Sequence, residues 1–260
     1  MRETNSAPGA PLFAAERQAR ILDDLIRDGR VEVPDLARRL GVSEPTVRRD
    51  LRVLSERGYL LKTHGGAVGL DAPHLGWAAR SGLHAEPKAR IGAAAVRLVE
   101  PGQTVILDAG STVLEMARCL RVRPLTVVTN SLDTAAVLEA SPGVSLTLTG
   151  GEWDPTVRHL GGPAALAMLA LCRADWVFLG VSAVHPSAGV TSVYAENAAV
   201  KRAMVAVAER AVVLADGSKI GQVAPHLIAR LGSIHALVTD AGAGVAQLEA
   251  VGLKAIVADP

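Results

Sequence analysis

Short β-branched segments of this chain are repeatedly followed by small polar or charged residues. The four strand-end segments are Asp108-Ala109-Gly110-Ser111-Thr112, Thr129-Asn130-Ser131, Thr149-Gly150-Gly151 and Asp216-Gly217-Ser218-Lys219. In α/β sheets the carboxyl ends of the strands border a ligand crevice, and helix N-termini there offer N–H groups and a positive dipole to an anion. The repetition therefore predicts a crevice for a small phosphorylated ligand.

Lysines support this prediction because they are rare in the chain. Lys219 ends one strand-end segment, and Lys201 follows Glu196 in an adjacent helical stretch, so each could supply a cation. Taken singly, every one of these residues also has a structural interpretation as a turn, a helix cap or a solvated side chain. The phosphate-binding patterns GxxxxGK[ST] and GxGxxG are both absent.

A second set of candidate residues lies on an arginine-rich helix near the N-terminus. At about 100° per residue, Val47, Leu51 and Leu54 share one side, which must face the core. Asp50 lies nearer that side, and we expect it to pair with an arginine inside the domain. The outward residues are Pro45, Arg49, Arg52 and Glu56, with Arg48 on the flank. Such a face suits contacts with base edges and phosphates, although a solvated three-helix bundle would show the same pattern.

The elements around this helix favour DNA binding. The predicted elements are a helix over Ala14–Asp28 ended by Gly29, an extended segment at Val31–Val33, a helix over Pro34–Leu40, a helix capped by Ser43 and ended by Gly58, and a hairpin formed by Tyr59–Lys62 and His64-Gly65-Gly66-Ala67. Ala37 and Gly41 would let the second and third helices approach closely. The order indicates a helix-turn-helix followed by a wing.

Residues Arg17 to Val68 resemble the winged helix-turn-helix of the DeoR family of bacterial transcriptional regulators. The segment Ser43–Leu51 is similar to that family's pattern S-x-x-T-[V/I]-R-R-D-L, and His64–Ala67 resembles its usual wing ending. The DNA-binding residues expected on this basis are Ser43, Pro45, Thr46, Arg48, Arg49, Arg52, Lys62 and His64.

From about Thr104 onward, apolar strands alternate with Ala-rich helical stretches. The predicted strands are Thr104–Leu107, Leu125–Val128, Ser145–Leu148, Trp176–Leu179, Val212–Ala215, Ala236–Val238 and Ala255–Val257. The predicted helices are Val113–Leu120, Thr134–Ala140, Ala164–Leu171 and Ala195–Arg210. This alternation predicts a doubly wound, mainly parallel α/β domain.

Residues Lys88 to Asp240 also resemble the DeoR family, in its effector domain. That domain is similar to sugar-phosphate isomerases and coenzyme A transferases, which implies a phosphorylated sugar or a related metabolite as ligand. The effector residues expected from the resemblance and the strand ends together are Asp108, Gly110, Ser111, Thr112, Asn130, Gly150, Gly151, Glu196, Lys201, Asp216 and Lys219. The sequence departs from the family at two places. Ser111 stands where the family usually has threonine, a conservative exchange of hydroxyls. Gly180-Val181-Ser182-Ala183 stands where many members have G-A-D-G, and the loss of a carboxylate and a glycine there leaves the identity of the ligand open.

Composition excludes several other classes of protein. The 260 residues are 49% hydrophobic and 20% charged, with a net charge of +1, which indicates a globular protein rather than a polybasic one. Aromatic residues are too few for a single-strand stacking platform. Two distant cysteines and seven scattered histidines give no metal-binding pattern. We expect no cofactor, no required metal and no membrane segment, and a cytoplasmic location.

The predicted organisation is a winged helix-turn-helix domain over residues 13–68, a linker over 69–87 with a short helix near Trp77, and an effector-binding and oligomerisation domain over 88–260. The order of residues 1–12 stays open.

The leading hypothesis is a transcriptional repressor, a homodimer or homotetramer, which binds double-stranded operator DNA and responds to a phosphorylated sugar. The linker would transmit the response. The alternative is a sugar-phosphate isomerase or deaminase with an appended DNA-binding module, since Asp108, Glu196, Asp216 and Lys219 could transfer protons. The identity of the sugar, the operator sequence and the sign of regulation stay open.

Overall fold

The structure is a computed structural model that describes residues 13–28, 30–56, 59–69, 84–240, 242 and 244–259. The chain divides into two compact units, Met1–Ala79 and Arg80–Pro260. The expected stops at Gly29 and Gly58, the order of residues 1–12 and the helix near Trp77 all lie outside the described residues, as does most of the expected linker.

The described residues of the first unit form three helices and a three-stranded antiparallel sheet. The helices are α1 (Ala14–Asp28), α2 (Val33–Leu40) and α3 (Glu44–Glu56). The strands are β1 (Arg30–Glu32), β2 (Leu60–Thr63) and β3 (Gly66–Gly69), in the order β1-β3-β2. The predicted helix-turn-helix and wing are therefore both present.

The core of this unit is formed where the apolar stripes of its elements meet. Ile21 and Leu25 of α1 and Leu36 of α2 pack with Val47 and Leu51 of α3, all buried. Between α2 and α3 the chain reverses at Gly41, whose φ of 65° is left-handed and suits glycine.

The wing approaches the rest of the unit too closely for a side chain at one position. Gly66 pairs with Glu32, and a Cβ atom on Gly66 would collide with the carbonyl oxygen of Val31. The turn before it is held by a 2.8 Å hydrogen bond that the amide of Val33 donates to the carbonyl oxygen of Gly65.

The second unit is built on a seven-stranded parallel sheet. Its strands are β4 (Thr104–Leu107), β5 (Leu125–Thr129), β6 (Val144–Leu148), β9 (Ala174–Gly180), β12 (Ala208–Leu214), β14 (Ala236–Thr239) and β15 (Ala255–Val257). The seven strands predicted from the sequence are the strands of this sheet.

Helices cover both faces of the sheet, as its doubly wound sequence pattern predicts. They are α4 (Ala85–Val96), α5 (Ser111–Cys119), α6 (Leu132–Leu138), α7 (Gly162–Ala170), α8 (Ala195–Val207) and α9 (Val245–Ala250). Side chains alternate between two cores: Trp176 and Phe178 of β9 pack with α4 and α5, whereas Val177 and Leu179 pack with α7 and α8.

Two small β elements stand outside the main sheet, and the sequence patterns did not predict them. One is a hairpin of β7 (Glu152–Asp154) and β8 (His159–Gly161); the other is an antiparallel sheet of β10 (Ala183–His185), β11 (Gly189–Ser192) and β13 (His226–Ala229). The prediction that a helix continues to Arg210 is wrong. Backbone at Ala208 is extended because β12 already pairs with β9 there.

Strand order determines where a ligand can enter. Across the sheet the order is β6-β5-β4-β9-β12-β14-β15. The chain therefore builds outward from β4 in one direction and from β9 in the other. In such sheets the crevice lies at the carboxyl ends of the two strands where the order reverses. For this chain those ends are Leu107 of β4 and Gly180 of β9.

No helix in the described part of the chain combines the length and apolarity that crossing a membrane requires.

Candidate functional site

Helix α3 presents two chemically distinct faces. Val47, Leu51 and Leu54 are buried, whereas Arg48, Arg49 and Arg52 are exposed, as the wheel predicts. Arg48 lies 3.2 Å from Glu44 in an exposed ion pair one helical turn away. Among the described residues, Arg49 and Arg52 form no ion pair. Their guanidinium groups are thus available to phosphates or base edges.

The acidic residue of the R-R-D segment is turned into the unit, as predicted. Nε of Arg17 lies 2.5 Å from Oδ2 of Asp50, where Asp50 is buried and Arg17 is half-buried. Gln18 donates a second hydrogen bond, of 3.1 Å, to Oδ1 of the same carboxylate. The hydrogen bond to Asp50 raises the pKa of Arg17. This network joins α1 to α3 and hides a negative charge from the arginine face.

The remaining predicted DNA-binding residues lie on the same unit. Ser43, Pro45, Lys62 and His64 are exposed, and Thr46 is half-buried. At the start of α3 the backbone carbonyl of Ser43 accepts hydrogen bonds from the amides of Thr46 and Val47. Its hydroxyl lies 2.9 Å from that of Thr46.

In the second unit, Asp108 lies at the predicted crevice between β4 and β9. Its side chain is fully buried, and Oδ2 accepts a 3.1 Å hydrogen bond from the amide of Gly180. The same oxygen is ion-paired with Nζ of Lys201, which α8 brings to the site. A buried carboxylate needs such partners because burying an unpaired charge is costly.

Asn130 adds a second buried polar side chain beside Asp108. Its Oδ1 accepts a 2.8 Å hydrogen bond from the amide of Ala109. Within the described residues, Nδ2 of Asn130 and Oδ1 of Asp108 have no hydrogen-bond partner. Buried polar atoms are normally paired, so these two unpartnered atoms make the position a candidate for ligand binding.

The start of α5 borders the same position. Gly110 precedes the helix, and a Cβ on it would stand 3.5 Å from the Cα of Gly180, so the two loops lie side by side. No side chain caps α5, in contrast to α6, whose first turn is capped by the hydroxyl of Ser131. The half-buried Ser111 and buried Thr112 therefore begin a helix whose first N–H groups have no capping side chain.

A buried histidine that the sequence patterns did not single out lies near the Asp108–Lys201 pair. His159 of β8 is 1% exposed. Burial lowers its pKa, and so does the charge of Lys201, against smaller opposing effects of Asp108, Asp154 and Glu196. The sequence carried no signal because β8 consists of His159, Leu160 and Gly161, which form no apolar, β-branched run.

The other predicted effector residues are in segments that we call the rim of the crevice, at the ends of other strands and at the start of α8. Gly150 and Gly151 both have positive φ, and the backbone of Gly151 packs against the carbonyl oxygen of Gly161. Asp216 accepts a 3.1 Å hydrogen bond from the amide of Ser218 within its own turn. Lys219 ends that turn and is half-buried, and Glu196 is exposed in the first turn of α8. Of the predicted effector side chains, Asp108 and Lys201 are in direct contact with each other.

No group of three or more His, Cys, Asp or Glu side chains that could hold a metal ion occurs in the described ranges.

Two protein-family models match the chain, one in each unit. Residues 17–72 match the DeoR-like helix-turn-helix domain, and residues 83–241 match the DeoR C-terminal sensor domain.

Curated relatives match over most of the chain. It is 34% identical to the HTH-type transcriptional repressor GlcR of Bacillus subtilis over 88% of this chain and 89% of that protein. It is 35% identical to the transcriptional repressor AccR of Agrobacterium fabrum, over 87% of this chain and 90% of that protein. It is 34% identical to the putative aga operon transcriptional repressor of Escherichia coli O157:H7, over 90% of this chain and 89% of that protein.

Solved structures give more distant matches. Ribose 5-phosphate isomerase A of Methanocaldococcus jannaschii matches with a TM-score of 0.38 and 18% identity, over 51% of this chain and 53% of that one. Translation initiation factor eIF-2B of Pyrococcus horikoshii matches with a TM-score of 0.47 and 15% identity, over 90% of both chains.

Proposed function

The chain belongs to the DeoR family of transcriptional regulators and is a DNA-binding regulator of transcription, and we propose that it is a repressor whose affinity for operator DNA is controlled by a phosphorylated sugar. The exposed face of α3, with Pro45, Arg48, Arg49 and Arg52, reads the operator. Helix α3 is positioned on the DNA by phosphate contacts, which come from Lys62 and His64 of the wing and from Ser43 and Thr46.

One observation carries the effector part of this proposal. At the β4/β9 crevice, Asp108 and Asn130 are buried with one unpartnered polar atom each, while Lys201 holds the carboxylate of Asp108 in place. A fully satisfied structural cluster would leave no such atoms. Polar groups held ready inside a crevice favour a hydroxyl-bearing ligand.

The phosphate of that ligand would bind at the start of α5. Its uncapped N–H groups and positive dipole end suit an anion, and the hydroxyls of Ser111 and Thr112 can donate to phosphate oxygens. Gly150, Gly151, Asp216 and Lys219 would line the rim on either side. These assignments extend the family's sensor role to named residues of this chain.

Control of DNA binding requires a difference in affinity between two states. The sugar phosphate must bind the arrangement that releases DNA more tightly than the one that holds it, because a ligand with equal affinity shifts no equilibrium. We propose that residues 69–87 transmit the change to the spacing of paired DNA-binding units in a homodimer or homotetramer.

The deciding experiment is fluorescence-anisotropy binding to duplex DNA from upstream of the protein's own gene, at about 150 mM salt because phosphate contacts depend on salt. A scrambled duplex is the control. We expect specific binding at least ~10³-fold tighter than to the control. One member of a panel of phosphorylated sugars should weaken that binding. Equal affinity for both duplexes under all conditions would refute the repressor assignment.

A matched pair of variants tests the effector site. Ser111→Ala removes a hydroxyl from the proposed phosphate position, so it should raise the effector concentration needed for DNA release by about tenfold, while DNA affinity without effector stays unchanged. Ser233→Ala, at an exposed serine in the turn after β13, should behave as wild type. Identical effector responses of both variants would remove Ser111 from the site.

We propose that the crevice binds without catalysing a reaction. Asp216 accepts a hydrogen bond within its own turn, and Oδ2 of Asp108 is held by the amide of Gly180 and by Lys201, which leaves Oδ1 of Asp108 to accept from a hydroxyl of the ligand. Turnover of ribose 5-phosphate or glucosamine 6-phosphate by purified protein, lost on substitution of Asp108, would instead establish an isomerase or deaminase.

A further inference from the structure

Three buried side chains form a hydrogen-bonded chain that ends at His159. The hydroxyl of Ser192, on β11, donates a 3.0 Å hydrogen bond to Oδ1 of Asn197 on α8. Nδ2 of Asn197 lies 3.1 Å from Nδ1 of His159 on β8. Three separate elements therefore meet in one polar network inside the second unit.

The direction of these hydrogen bonds determines where His159 carries its proton. Because Oδ1 of Asn197 accepts from Ser192, the amide faces His159 with its NH₂ group, which can only donate. Nδ1 of His159 must therefore accept, and the proton of the neutral ring lies on Nε2. The hydrogen bonds from Ser192 through Asn197 thus fix the tautomer of His159, as a hydrogen bond to one ring nitrogen generally does.

Nε2 is the end of the network that has no protein partner. Among the described residues, no hydrogen bond is made by this nitrogen. It lies 3.0 Å from the position that a Cβ of Gly161 would occupy, so the glycine leaves this edge of the ring uncovered. Within the described residues His159 therefore has a ring N–H that no protein group accepts, beside Asp108 and Asn130, which each keep one buried polar atom without a partner.

The charges around His159 indicate which part of a ligand it would meet. The ring stands beside the Asp108 site, because the amide of Leu160, the next residue of β8, donates a 2.8 Å hydrogen bond to the carbonyl oxygen of Asn130, and Asn197 precedes Lys201 by one turn of α8. The charged groups that act on His159 there are Lys201, Asp108, Asp154 and Glu196, one positive and three negative. A phosphate is disfavoured beside such an excess of carboxylates. Neutral hydroxyl or carbonyl groups are favoured, because the carboxylates can accept from hydroxyls while Nε2–H donates.

We propose that His159 is a specificity-determining residue of the effector site, which donates its Nε2–H to a hydroxyl or carbonyl oxygen of the sugar, while Asn197 and Ser192 position the ring. The inference rests on the proposed function. It gives the ligand an orientation, with the sugar end at His159 and Glu196 and the phosphate end at the start of α5.

Binding measurements on two substitutions test this orientation. His159→Met removes the donor at similar volume, whereas His159→Gln keeps an N–H group. The probes are ribose 5-phosphate, glucosamine 6-phosphate, fructose 6-phosphate and inorganic phosphate, titrated calorimetrically against the full chain. For the sugar phosphate that wild type binds best, we expect His159→Met to weaken affinity by about tenfold and His159→Gln to restore most of it. Affinity for inorganic phosphate should change less than about twofold in either variant.

A measurement on the wild-type chain keeps the test independent of folding defects. With ring-¹⁵N histidine labelling, nuclear magnetic resonance reports which nitrogen carries the proton. At pH 7 the His159 proton should lie on Nε2, and its resonance should shift when the sugar phosphate binds but not when inorganic phosphate binds. Asn197→Asp should move the proton to Nδ1, since a carboxylate can only accept.

Each contrary result has a defined meaning. A proton on Nδ1 in wild type, or sugar-phosphate affinity unchanged in His159→Met, would overturn the inference and leave the proposed function standing. Parallel loss of inorganic phosphate binding would place His159 at the phosphate end and overturn the orientation. If wild type binds none of the probes, the proposed effector class fails, and the inference fails with it.

Discussion

Two buried aspartates show how the same residue type serves stability in one unit and ligand binding in the other. Both oxygens of Asp50 accept hydrogen bonds from α1, Oδ2 from Arg17 and Oδ1 from both Arg17 and Gln18, so this carboxylate is fully used inside the protein. Asp108 keeps one oxygen without a partner among the described residues. The sequence predicted this division, because the helical wheel turned Asp50 toward the core and Asp108 followed a strand, but the particular partners of each carboxylate depend on how distant elements pack.

At the residue scale, Arg49→Ala tests the DNA-reading face. The guanidinium is exposed and forms no ion pair within the described residues, so its loss should leave folding unchanged and weaken operator binding by about 1–3 kcal/mol if it contacts a base. Anisotropy titration measures this. Arg118→Ala, at an exposed arginine of α5 paired with Glu115, is the matched control and should bind DNA as wild type. Equal affinities for both variants would argue against a base contact.

His159 should make stability depend on pH. Its folded pKa is lowered, chiefly by burial and then by Lys201. The unfolded chain therefore binds a proton more readily, below its ordinary pKa of about 6.5. The stabilisation is fully present above that pH and is lost as pH falls from about 6.5 toward the folded pKa, at up to about 1.4 kcal/mol per pH unit. Urea unfolding of His159→Gln should lack this part of the acid sensitivity, and identical pH slopes would contradict the assignment.

At the element scale, the sequence predicted what long apolar periods and strand-end segments can reveal. All seven sheet strands and the winged helix-turn-helix were predicted because burial on one or two faces leaves a repeating pattern. The β7–β8 hairpin and the small sheet were missed because their strands mix apolar with polar residues or glycine and so lack the apolar, β-branched run that marks the strands of the main sheet. His159, Asn197 and Ser192 were missed with them, since their juxtaposition depends on how the hairpin and small sheet meet α8.

Helices α4 and α5 approach too closely for any side chain at Gly92. A Cβ there would lie 2.5 Å from the backbone nitrogen of Met116. Gly92→Ala should therefore destabilise the second unit by about 1–3 kcal/mol, because overpacking against backbone outweighs the ~1 kcal/mol gain in helix propensity. Thermal unfolding measures this. Gly232→Ala, where nothing lies within 4 Å, is the control, and equal melting temperatures would show that the helices can separate at little cost.

The Arg17–Asp50 pair should hold α1 against α3. Asp50→Asn keeps the shape but removes the buried negative charge that the guanidinium of Arg17 contacts, so it should destabilise the first unit by about 3 kcal/mol. Hydrogen exchange of amides in residues 14–56 reports this locally. Asp35→Asn breaks an exposed pair with Arg38 and should leave exchange unchanged. Equal protection in both variants would show that the buried pair contributes little.

At the scale of the whole molecule, the proposed function requires more than one copy of the chain. Helix-turn-helix proteins bind paired half-sites about one DNA turn apart, or a multiple of it. Light scattering should therefore give the mass of two or more 27.0 kDa chains at the protein concentrations that bind operator. Specific operator binding by a single 27.0 kDa chain would contradict the model of paired units.

The two-faced character of α3 has a consequence for how regulators of this kind can diversify. Val47, Asp50, Leu51 and Leu54 hold the helix in its unit, and no residue of the outward face takes part in that packing. Operator preference can therefore drift, or be redesigned, by exchanging a handful of solvent-facing side chains while the scaffold stays intact. A gene duplicate could acquire a new regulon by surface substitutions alone, and retargeting in the laboratory can begin from the same positions.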